Sequence, residues 1–282
     1  MAKLYIVSTP IGNLADITYR AVETLGAVDR VLAEDTRRTA ILFRRYGLRT
    51  PLYSAHAFNE QARSSQVLEW LNNGENVALV SDAGTPLLSD PGARIVHTVL
   101  DGGHEVIPVP GASSLLAALV ASGLELDRFS FFGFPPRSGK DRQKLFERIA
   151  GLEETAVMFE APGRVGRLLD DLAQACGGDR WAAVARELTK VHETFVRGTL
   201  SDLAAYYRTD APRGEVVVLV AGRAAEPEGD SKPEAGLRAA ELLEGGASAR
   251  DVARQLAQEL GISRNQAYQI TQSLTRGEGN TE

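Results

Sequence analysis

Short apolar runs of strand length recur along the first half of the chain, and each leads into a loop of small and polar residues. The strand-like runs cover residues 4–7, 30–33, 76–80 and 105–109. Stretches with helical spacing of apolar positions follow the loops, as in residues 93–100 and 115–122. Strand, loop and helix in alternation is typical of a parallel sheet covered by helices. The pattern predicts an N-terminal α/β domain over residues 1–120.

The spacing changes in the second half, where strand-like runs come closer together and only some are separated by helices. These runs cover residues 129–134, 155–159, 181–185, 193–197 and 215–220. The change predicts a second α/β domain with a mixed sheet over residues 121–223. The aromatic run at 129–134 is expected in the core or at the domain interface.

The last part of the chain is predicted to be a polar linker, residues 224–233, and a small helical domain, residues 234–282. Ser248 can cap an amphipathic helix, with Asp251 at the capping-box position. A turn at Gly261 and a second helix over 264–274 complete a helix-turn-helix-like pattern. Its second helix is poor in basic residues, so the pattern favours DNA binding only weakly.

Residues 81–92 form the most distinctive loop, because they follow a buried strand and place one carboxylate, Asp82, at its exit. Ligands of open parallel sheets bind at the carboxyl ends of strands. We expect Ser89 or Asp90 to cap the helix that follows, and Gly102 to end it. The alternative is that the loop serves only as a turn.

Composition excludes several classes of protein. With 282 residues, 44% of them hydrophobic and 24% charged, the chain is typical of a globular protein, and no apolar run is long enough to span a membrane. One cysteine, Cys176, and four scattered histidines give no metal-ligand pattern, so we expect no metal. Neither dinucleotide nor triphosphate loop motifs occur. We expect a cytoplasmic location, because the N-terminus lacks a signal-like apolar core.

Charge is distributed unevenly along the chain. The net charge of −6 argues against bulk attraction to nucleic acid. Residues 35–49 nevertheless contain five arginines and one acid, and residues 137–148 contain five basic and two acidic side chains. Either segment is a solvated helix face or a contact for phosphates.

Six loops in order resemble the motifs of the tetrapyrrole methylase superfamily, and more closely those of its ribosomal RNA branch. The resemblance extends from residue 3 to about residue 222 and continues into the C-terminal helical part. The first loop has a single glycine, Gly12, which favours the ribosomal branch over corrin or haem biosynthesis. The motifs are residues 8–14, 34–37, 81–92, 110–114, 160–164 and 186–190.

This resemblance implies two α/β domains with S-adenosylmethionine in the cleft between them, and a homodimer. The implied reaction is methylation of a cytidine ribose 2′-hydroxyl in 16S ribosomal RNA of the small subunit, with neither membrane nor DNA as a partner. Two alternatives stay open. One is a small-molecule methylase of the tetrapyrrole type, and the other is a DNA-binding regulator that senses a metabolite.

For the cofactor we expect oxygens near its cationic end and an apolar slot for its adenine. Asp82 suits the first need, whereas Pro10, Met158 and Val216 suit the second. The full set of expected cofactor-binding residues is Pro10, Ser81, Asp82, Ala83, Gly84, Thr85, Pro86, Ser113, Ser114, Met158, Phe159, Glu160, Ala185, Glu215 and Val216.

A ribose hydroxyl is a poor nucleophile and needs a base or a charge partner. We expect Lys190 or Glu187 to fill this role, with Asp35 helping to orient them. The alternative is a structural ion-pair network between the domains. The expected RNA-binding residues are Arg37, Arg38, Arg137 and Lys140.

Overall fold

A computed structural model describes residues 2–56, 58–209, 212–223, 231–245, 247–260, 267–268 and 270–272. The strands are β1 (Lys3–Val7), β2 (Arg30–Ala33), β3 (Leu52–Ser54), β4 (Val77–Val80), β5 (Glu105–Val109), β6 (Phe129–Phe131), β7 (Thr155–Glu160), β8 (Trp181–Arg186), β9 (Thr194–Thr199) and β10 (Val216–Val220). The helices are α1 (Tyr19–Ala27), α2 (Thr36–Tyr46), α3 (Glu60–Asn72), α4 (Ala93–Asp101), α5 (Ser114–Val120), α6 (Lys140–Gly151), α7 (Val165–Cys176), α8 (Leu200–Thr209), α9 (Ser231–Glu244) and α10 (Ala249–Glu259).

The first sheet has the order β3-β2-β4-β1-β5, and all its strand pairs are parallel. The prediction of a parallel α/β sheet is confirmed. Strand β3 was not predicted, because three half-buried residues carry too little apolar pattern. Since the strands run the same way, the loops that follow β1, β2, β4 and β5 leave the sheet at one edge.

The second sheet has the order β6-β7-β10-β8-β9, with β6 and β7 parallel and the other pairs antiparallel. It is therefore mixed, as predicted. Helices α6, α7 and α8 cover one face, where Leu168, Leu172 and Leu203 are buried. That face forms the larger part of the core of this half.

Helix α5 joins the two halves by packing on the other face of the second sheet. Leu115 and Leu119 lie in one buried cluster with Val157, Ala183 and Val217 from the strands. Burial of each such leucine contributes about 1.5–3 kcal/mol. This packing turns the loop edge of the first sheet toward the second sheet.

The start of helix α4 differs from the prediction that Ser89 or Asp90 caps it. The N-cap is Gly92, whose φ of 127° places it outside the helix. A Cβ atom added to Gly92 would overlap the side chain of Leu79. Glu60 of α3 satisfies the helix N-terminus instead. Its Oε1 accepts the N–H groups of Gly92 at 3.1 Å and Arg94 at 2.8 Å. The predicted end at Gly102 is confirmed.

Helix α1 begins at Tyr19, after a separate short turn. Residues Leu14–Asp16 form a 3₁₀ turn capped by Asn13. Thr18 then caps α1, because its hydroxyl accepts the N–H of Ala21. Two capping side chains in succession thus separate the turn from the helix.

Both sheets belong to one compact unit, Met1–Gly222, and the chain from Arg223 to Glu282 forms a second compact unit. Helix α9 begins at Ser231, within the predicted linker, and residues 224–230 lie outside the described part. Ser248 caps α10 by accepting the N–H of Asp251, as predicted. The predicted turn at Gly261 lies outside the described residues, as does most of the predicted second helix.

Within the described part of the chain, no three His, Cys, Asp or Glu side chains come together in a way that could hold a metal ion. Across the same residues, every helix is too short or too polar to serve as a membrane span.

Candidate active site

A cavity of about 380 Å³ lies where the loop edge of the first sheet meets the second sheet. Its wall combines carboxylates, hydroxyls and apolar side chains from both halves. The lining residues are Ile11, Glu34, Arg38, Asp82, Ala83, Gly84, Thr85, Leu88, Ser89, Asp90, Ser113, Ser114, Leu115, Phe134, Phe159, Glu160, Ala161, Pro162, Leu188, Gly214, Glu215, Val216 and Val217.

Most of the expected cofactor-binding residues line this cavity. They come from the loops after β4 and β5, from the end of β7 and from the start of β10. The residues that line it are Asp82, Ala83, Gly84, Thr85, Ser113, Ser114, Phe159, Glu160, Glu215 and Val216. Residues far apart in sequence are thus brought to one site.

Five expected cofactor-binding residues do not line the cavity, because their side chains pack inside the protein. Met158 is 0% exposed and lies in the core beneath α7, since neighbouring strand residues point to opposite faces. Ala185 is also fully buried. Pro10 and Pro86 are buried, and the Ser81 hydroxyl donates to the Gly84 carbonyl at 3.2 Å. Ser81 therefore shapes the loop from within.

The loops after β1 and β4 are tied together beneath the cavity. Thr9 and Gly84 exchange two backbone hydrogen bonds, at 2.9 and 3.0 Å. The Ser8 and Thr85 hydroxyls lie 3.1 Å apart, and Thr85 also donates to the Ala112 carbonyl at 3.3 Å. These bonds hold the floor of the cavity in one conformation.

Asp82 connects the loop after β4 to the start of α2. Its Oδ1 accepts the backbone N–H of Asp35 at 2.9 Å, and its Oδ2 lies 3.4 Å from Nη1 of Arg38. The side chain is 23% exposed, so part of it faces the cavity. Asp82 therefore has a structural contact in addition to its position in the wall.

Asp35 itself faces α2 and does not line the cavity. Its carboxylate accepts the Arg37 backbone N–H at 2.9 Å and the Arg37 guanidinium at 3.0 and 2.7 Å. The side-chain bond from Arg37 is the main reason that the pKa of Asp35 falls to about 2. The Arg37 side chain is 89% exposed. Asp35 thus stays ionised and holds Arg37 at the surface.

Lys190 forms a charged cluster with Glu187 and Glu215, and of these three residues only Glu215 lines the cavity. Its Nζ lies 2.8 Å from Glu187 Oε1 and 3.2 Å from Glu215 Oε2. Burial by itself would lower the pKa of Lys190, but the two carboxylates more than offset this and the pKa is raised. The hydrogen bond from Lys190, followed by one from the Glu215 N–H, lowers the pKa of Glu187. Lys190 and Glu187 are therefore both charged at neutral pH.

The loop that carries this cluster is strained and contacts the first loop of the chain. Glu187 and Thr189 have φ angles of 52° and 64°, which non-glycine residues rarely adopt. The Thr189 hydroxyl accepts the N–H of Asn13 at 3.0 Å. Strained backbone of this kind concentrates at functional sites.

Glu160 presents an unusual carboxylate to the cavity. Its side chain is 1% exposed, and its Oε1 accepts from the Ala161 N–H and the Arg164 Nε, each at 2.7 Å. Its Oε2 is buried without a hydrogen-bond partner among the described residues. A buried carboxylate oxygen left unpaired is costly, so a ligand N–H or O–H is a fitting partner.

The expected RNA-binding residues are spread over the surface. Arg38 lines the cavity, whereas Arg37 points to solvent beside it. Arg137 and Lys140 are exposed at the start of α6 and do not line the cavity. The structure thus brings only Arg37 and Arg38 close to the site.

Asp90 lines the cavity although the sequence pattern assigned it to helix capping. Burial, together with the charge of Glu34, raises its pKa to about 6. Burial also raises the pKa of Glu34, and the negative charge of Asp82 raises it further.

Apolar residues of the cavity wall, such as Ile11, Leu88 and Phe134, could not be predicted from the sequence, because apolar residues of an ordinary core show the same pattern. Asp90, in contrast, lies in the distinctive loop of residues 81–92, so its carboxylate could have been recognised from the sequence as a candidate for the site.

The protein-family model described as Tetrapyrrole (Corrin/Porphyrin) Methylases matches residues 3–204 of this chain. The chain belongs to this family, whose cofactor is S-adenosylmethionine. Ribosomal RNA small subunit methyltransferase I of Synechocystis sp. is 45% identical over 276 residues, covering 97% of this chain and 99% of the relative. The protein of the same name from Escherichia coli O157:H7 is 40% identical over 268 residues, covering 94% and 93%.

Solved structures share the fold. Cobalt precorrin-4 methyltransferase has a TM-score of 0.60 at 20% identity, covering 78% of this chain and 94% of that chain. Uroporphyrin-III C-methyltransferase from Thermus thermophilus, solved in complex with S-adenosylhomocysteine, has a TM-score of 0.57 at 19% identity, covering 77% and 97%. At these identities the likeness is one of fold alone. The predicted two-part α/β fold with a cleft is confirmed.

Proposed function

We propose that this protein methylates ribosomal RNA of the small subunit, using S-adenosylmethionine, at the 2′-hydroxyl of a cytidine in 16S RNA. The names of relatives at 40–45% identity support the ribosomal RNA substrate. The cytidine and the 2′-hydroxyl rest on the motif resemblance. The observation that carries the proposal is the cavity between the sheets, whose wall joins polar loops of the first half to residues of β7 and β10 in the second.

The cavity has the chemistry that the cofactor requires. Bound S-adenosylmethionine supplies a methyl group activated by a cationic sulfur. The carboxylates of Glu34, Asp82 and Asp90 line the same wall and favour a cation there. Glu160 Oε2 is suited to a cofactor N–H or hydroxyl. A volume of about 380 Å³ lies within the usual range of small-molecule sites.

In this proposal Lys190 acts as a fixed positive charge. Its ammonium, held by Glu187 and Glu215, stabilises negative charge that develops on the attacking ribose oxygen. Glu187 is a positioning residue, because its carboxylate orients the ammonium. A protonated lysine cannot take the hydroxyl proton, so another group must accept it.

The RNA backbone would lie across the start of α2. Arg37, held in place by Asp35, is exposed for a bidentate phosphate contact. Arg38 reaches into the cavity wall. Arg137 and Lys140 would extend the contact to α6. The C-terminal unit assists docking of the RNA, and the protein acts as a homodimer.

The test is methyl transfer from labelled S-adenosylmethionine to small ribosomal subunits taken from a strain that lacks the enzyme. We expect label in 16S RNA, recovered after nuclease digestion as 2′-O-methylcytidine. A parallel reaction with a tetrapyrrole such as uroporphyrinogen should give no labelled product. Label on a base would contradict the 2′-hydroxyl, and label in the tetrapyrrole alone would contradict the RNA substrate.

A further inference from the structure

A groove of about 620 Å³ lies between α6 and α7, outside the candidate active site. Its wall is formed by residues just before α6, by the first two turns of α6 and by one side of α7. The groove coincides with the basic segment 137–148, which the sequence left open as a solvated helix face or a phosphate contact. The fold thus gives this segment a concave site for a ligand.

Basic side chains outnumber acidic ones in the wall of this α6–α7 groove. Lys140, Arg142 and Arg167 line it, against Glu147 and Asp171. Arg142 binds the Asp171 carboxylate at 2.8 Å, and Arg167 lies 4.0 Å from the same oxygen. Among the described residues, Lys140 pairs with no acid. Positive charge is therefore left over for an anion.

Arg142 is a fixed donor in this wall. Its side chain is 7% exposed, and its Nε and Nη1 donate to Asp171 and to the Pro136 carbonyl, each at 2.8 Å. The guanidinium also lies over the ring of Phe146, 4.6 Å from the ring centre. Its third nitrogen, Nη2, has no hydrogen-bond partner in the part of the chain that the structure describes. Arg142 can therefore donate to a ligand in the groove with little further loss of side-chain freedom.

The start of α6 adds backbone donors to the same wall. Gly139, the N-cap, has a φ of 87° and, lacking a side chain, offers no oxygen to the first N–H groups of the helix. Gly139 and Lys140 both line the groove, whereas Asp141, the acid of the first turn, does not. Open N–H groups at a helix start favour an anion, and here they act together with the basic side chains.

Two short segments connect the groove to the candidate active site. Phe134 lines the active-site cavity, and Ser138 lines the groove. Pro162 and Arg167 repeat this relationship on the segment that leads into α7. Four residues of extended chain span at most about 14 Å. The two sites are thus a few nucleotides apart along an RNA strand.

We propose that the α6–α7 groove binds a phosphate of the RNA backbone near the nucleotide that is methylated. This inference rests on the proposed function. Arg142 donates to the phosphate oxygens from a fixed position, and Lys140 and Arg167 supply the charge around it. A phosphodiester fits because it combines negative charge with oxygens that accept several N–H groups. The groove sets the register of the strand, and the cavity performs the chemistry.

The test measures binding of the full-length protein to small subunits from a strain that lacks the enzyme, by filter binding at several salt concentrations. Lys140→Ala and Arg167→Ala should each weaken binding by about three- to tenfold and reduce the slope of log K against log salt by about 0.7–0.9. Calorimetric titration with S-adenosylmethionine should give affinities within about twofold of wild type, because neither residue lines the active-site cavity.

Each variant has a matched control outside the groove. Lys144→Ala changes an exposed lysine of the same helix as Lys140. Arg208→Ala matches Arg167→Ala, because the two side chains are 66% and 67% exposed and each faces an acid of α7. Both controls should bind small subunits with the wild-type affinity and salt slope.

Two further variants give results that loss of folding cannot imitate. Glu147→Gln removes an exposed acid from the groove wall and should tighten binding by about two- to threefold, because a repulsion of the phosphate disappears. Arg142→Lys keeps the positive charge beside Asp171 but loses the planar fork, and should weaken binding by about tenfold. Urea unfolding of Arg142→Lys shows whether the fold is kept.

The outcomes separate the groove from the proposed function. If the wild-type protein labels 16S RNA but Lys140→Ala and Arg167→Ala bind small subunits like their controls, the groove assignment is overturned and the proposed function stands. Unchanged or weaker binding by Glu147→Gln overturns the assignment in the same way. A wild-type protein that neither binds small subunits nor labels their RNA contradicts the proposed function, and the groove assignment fails with it.

Discussion

The side chain of Lys190 lies against the backbone of Gly12. A methyl group on Gly12 would overlap Lys190 Cγ and would stand 2.9 Å from the Leu188 carbonyl oxygen. Gly12 belongs to the loop after β1 and Lys190 to the loop after β8. The absence of a side chain at Gly12 therefore lets one half of the molecule receive the lysine of the other half.

We expect Gly12→Ala to displace Lys190 and to lower methyl transfer by about tenfold, with about 1 kcal/mol lost in stability from overpacking. Steady-state rates and urea unfolding measure the two effects. Gly151→Ala is the matched control, because a methyl group there meets nothing within 4 Å. In the Lys190→Ala background the Gly12 change should cost little more rate, since the displaced group is gone. Full additivity of the two changes would contradict the contact.

Lys190→Ala and Glu187→Gln should each reduce the methylation rate by about 10²-fold, because the first removes the fixed charge and the second loosens it. Stability should change by only about 0–1 kcal/mol, since the cluster is partly exposed. Lys3→Ala removes an ion pair of 2.9 Å with Glu105 and should leave the rate unchanged. A marked fall in melting temperature with a merely proportionate loss of rate would support the structural ion-pair alternative.

Asp82→Asn and Asp82→Ala should separate the two roles of this side chain. Loss of the charge in either variant should weaken S-adenosylmethionine binding by about 10–100-fold, which corresponds to about 1.4–2.7 kcal/mol. Asparagine can still accept the Asp35 N–H, whereas alanine leaves that group unpaired at a cost of about 1–3 kcal/mol. Calorimetric titration and urea unfolding measure these effects. An unchanged dissociation constant in Asp82→Asn would exclude Asp82 as a cofactor ligand.

Arg37→Ala should weaken binding to the small subunit and reduce the slope of log K against log salt by about 0.7–0.9, as expected for one lost phosphate contact. Arg208→Ala is a close control, because Arg208 also forms an exposed ion pair, 2.6 Å from Asp170. Filter binding at several salt concentrations gives both slopes. Equal slopes for the two variants would remove Arg37 from the RNA interface.

The raised pKa of Asp90 also predicts a pH-dependent stability. Its carboxyl has a pKa of about 6 in the folded protein and 3.8 in the unfolded chain. Ionisation therefore destabilises the fold progressively between about pH 4 and pH 6, and the cost is complete above that range. We expect Asp90→Asn to be more stable than wild type by about 1 kcal/mol at pH 8, a value reduced for solvent screening because the group is half-exposed. Below about pH 4 the difference should vanish, and urea unfolding at both pH values checks this.

The sequence by itself determined the type of most elements and the polar loops at the strand exits. Apolar period and strand length are local properties, so β1, β2, β4 and β5 were predicted close to their observed bounds. Asp82, Ser113 and Glu215 could be picked out because each stands where a strand begins or ends. The same local rules gave too little pattern for β3, which is only three residues long.

Only the tertiary structure decided which of these residues meet and which of them are free. Glu60, not Asp90, accepts the N–H of Gly92 across 32 residues of chain, and Thr189 contacts Asn13 across 176. The packing of α5 sets the cavity between the sheets, and the helices on the opposite face of the second sheet bury Met158. Such contacts depend on the relative placement of whole elements, which hydrophobic periodicity does not encode. These contacts could therefore be identified only in the folded chain.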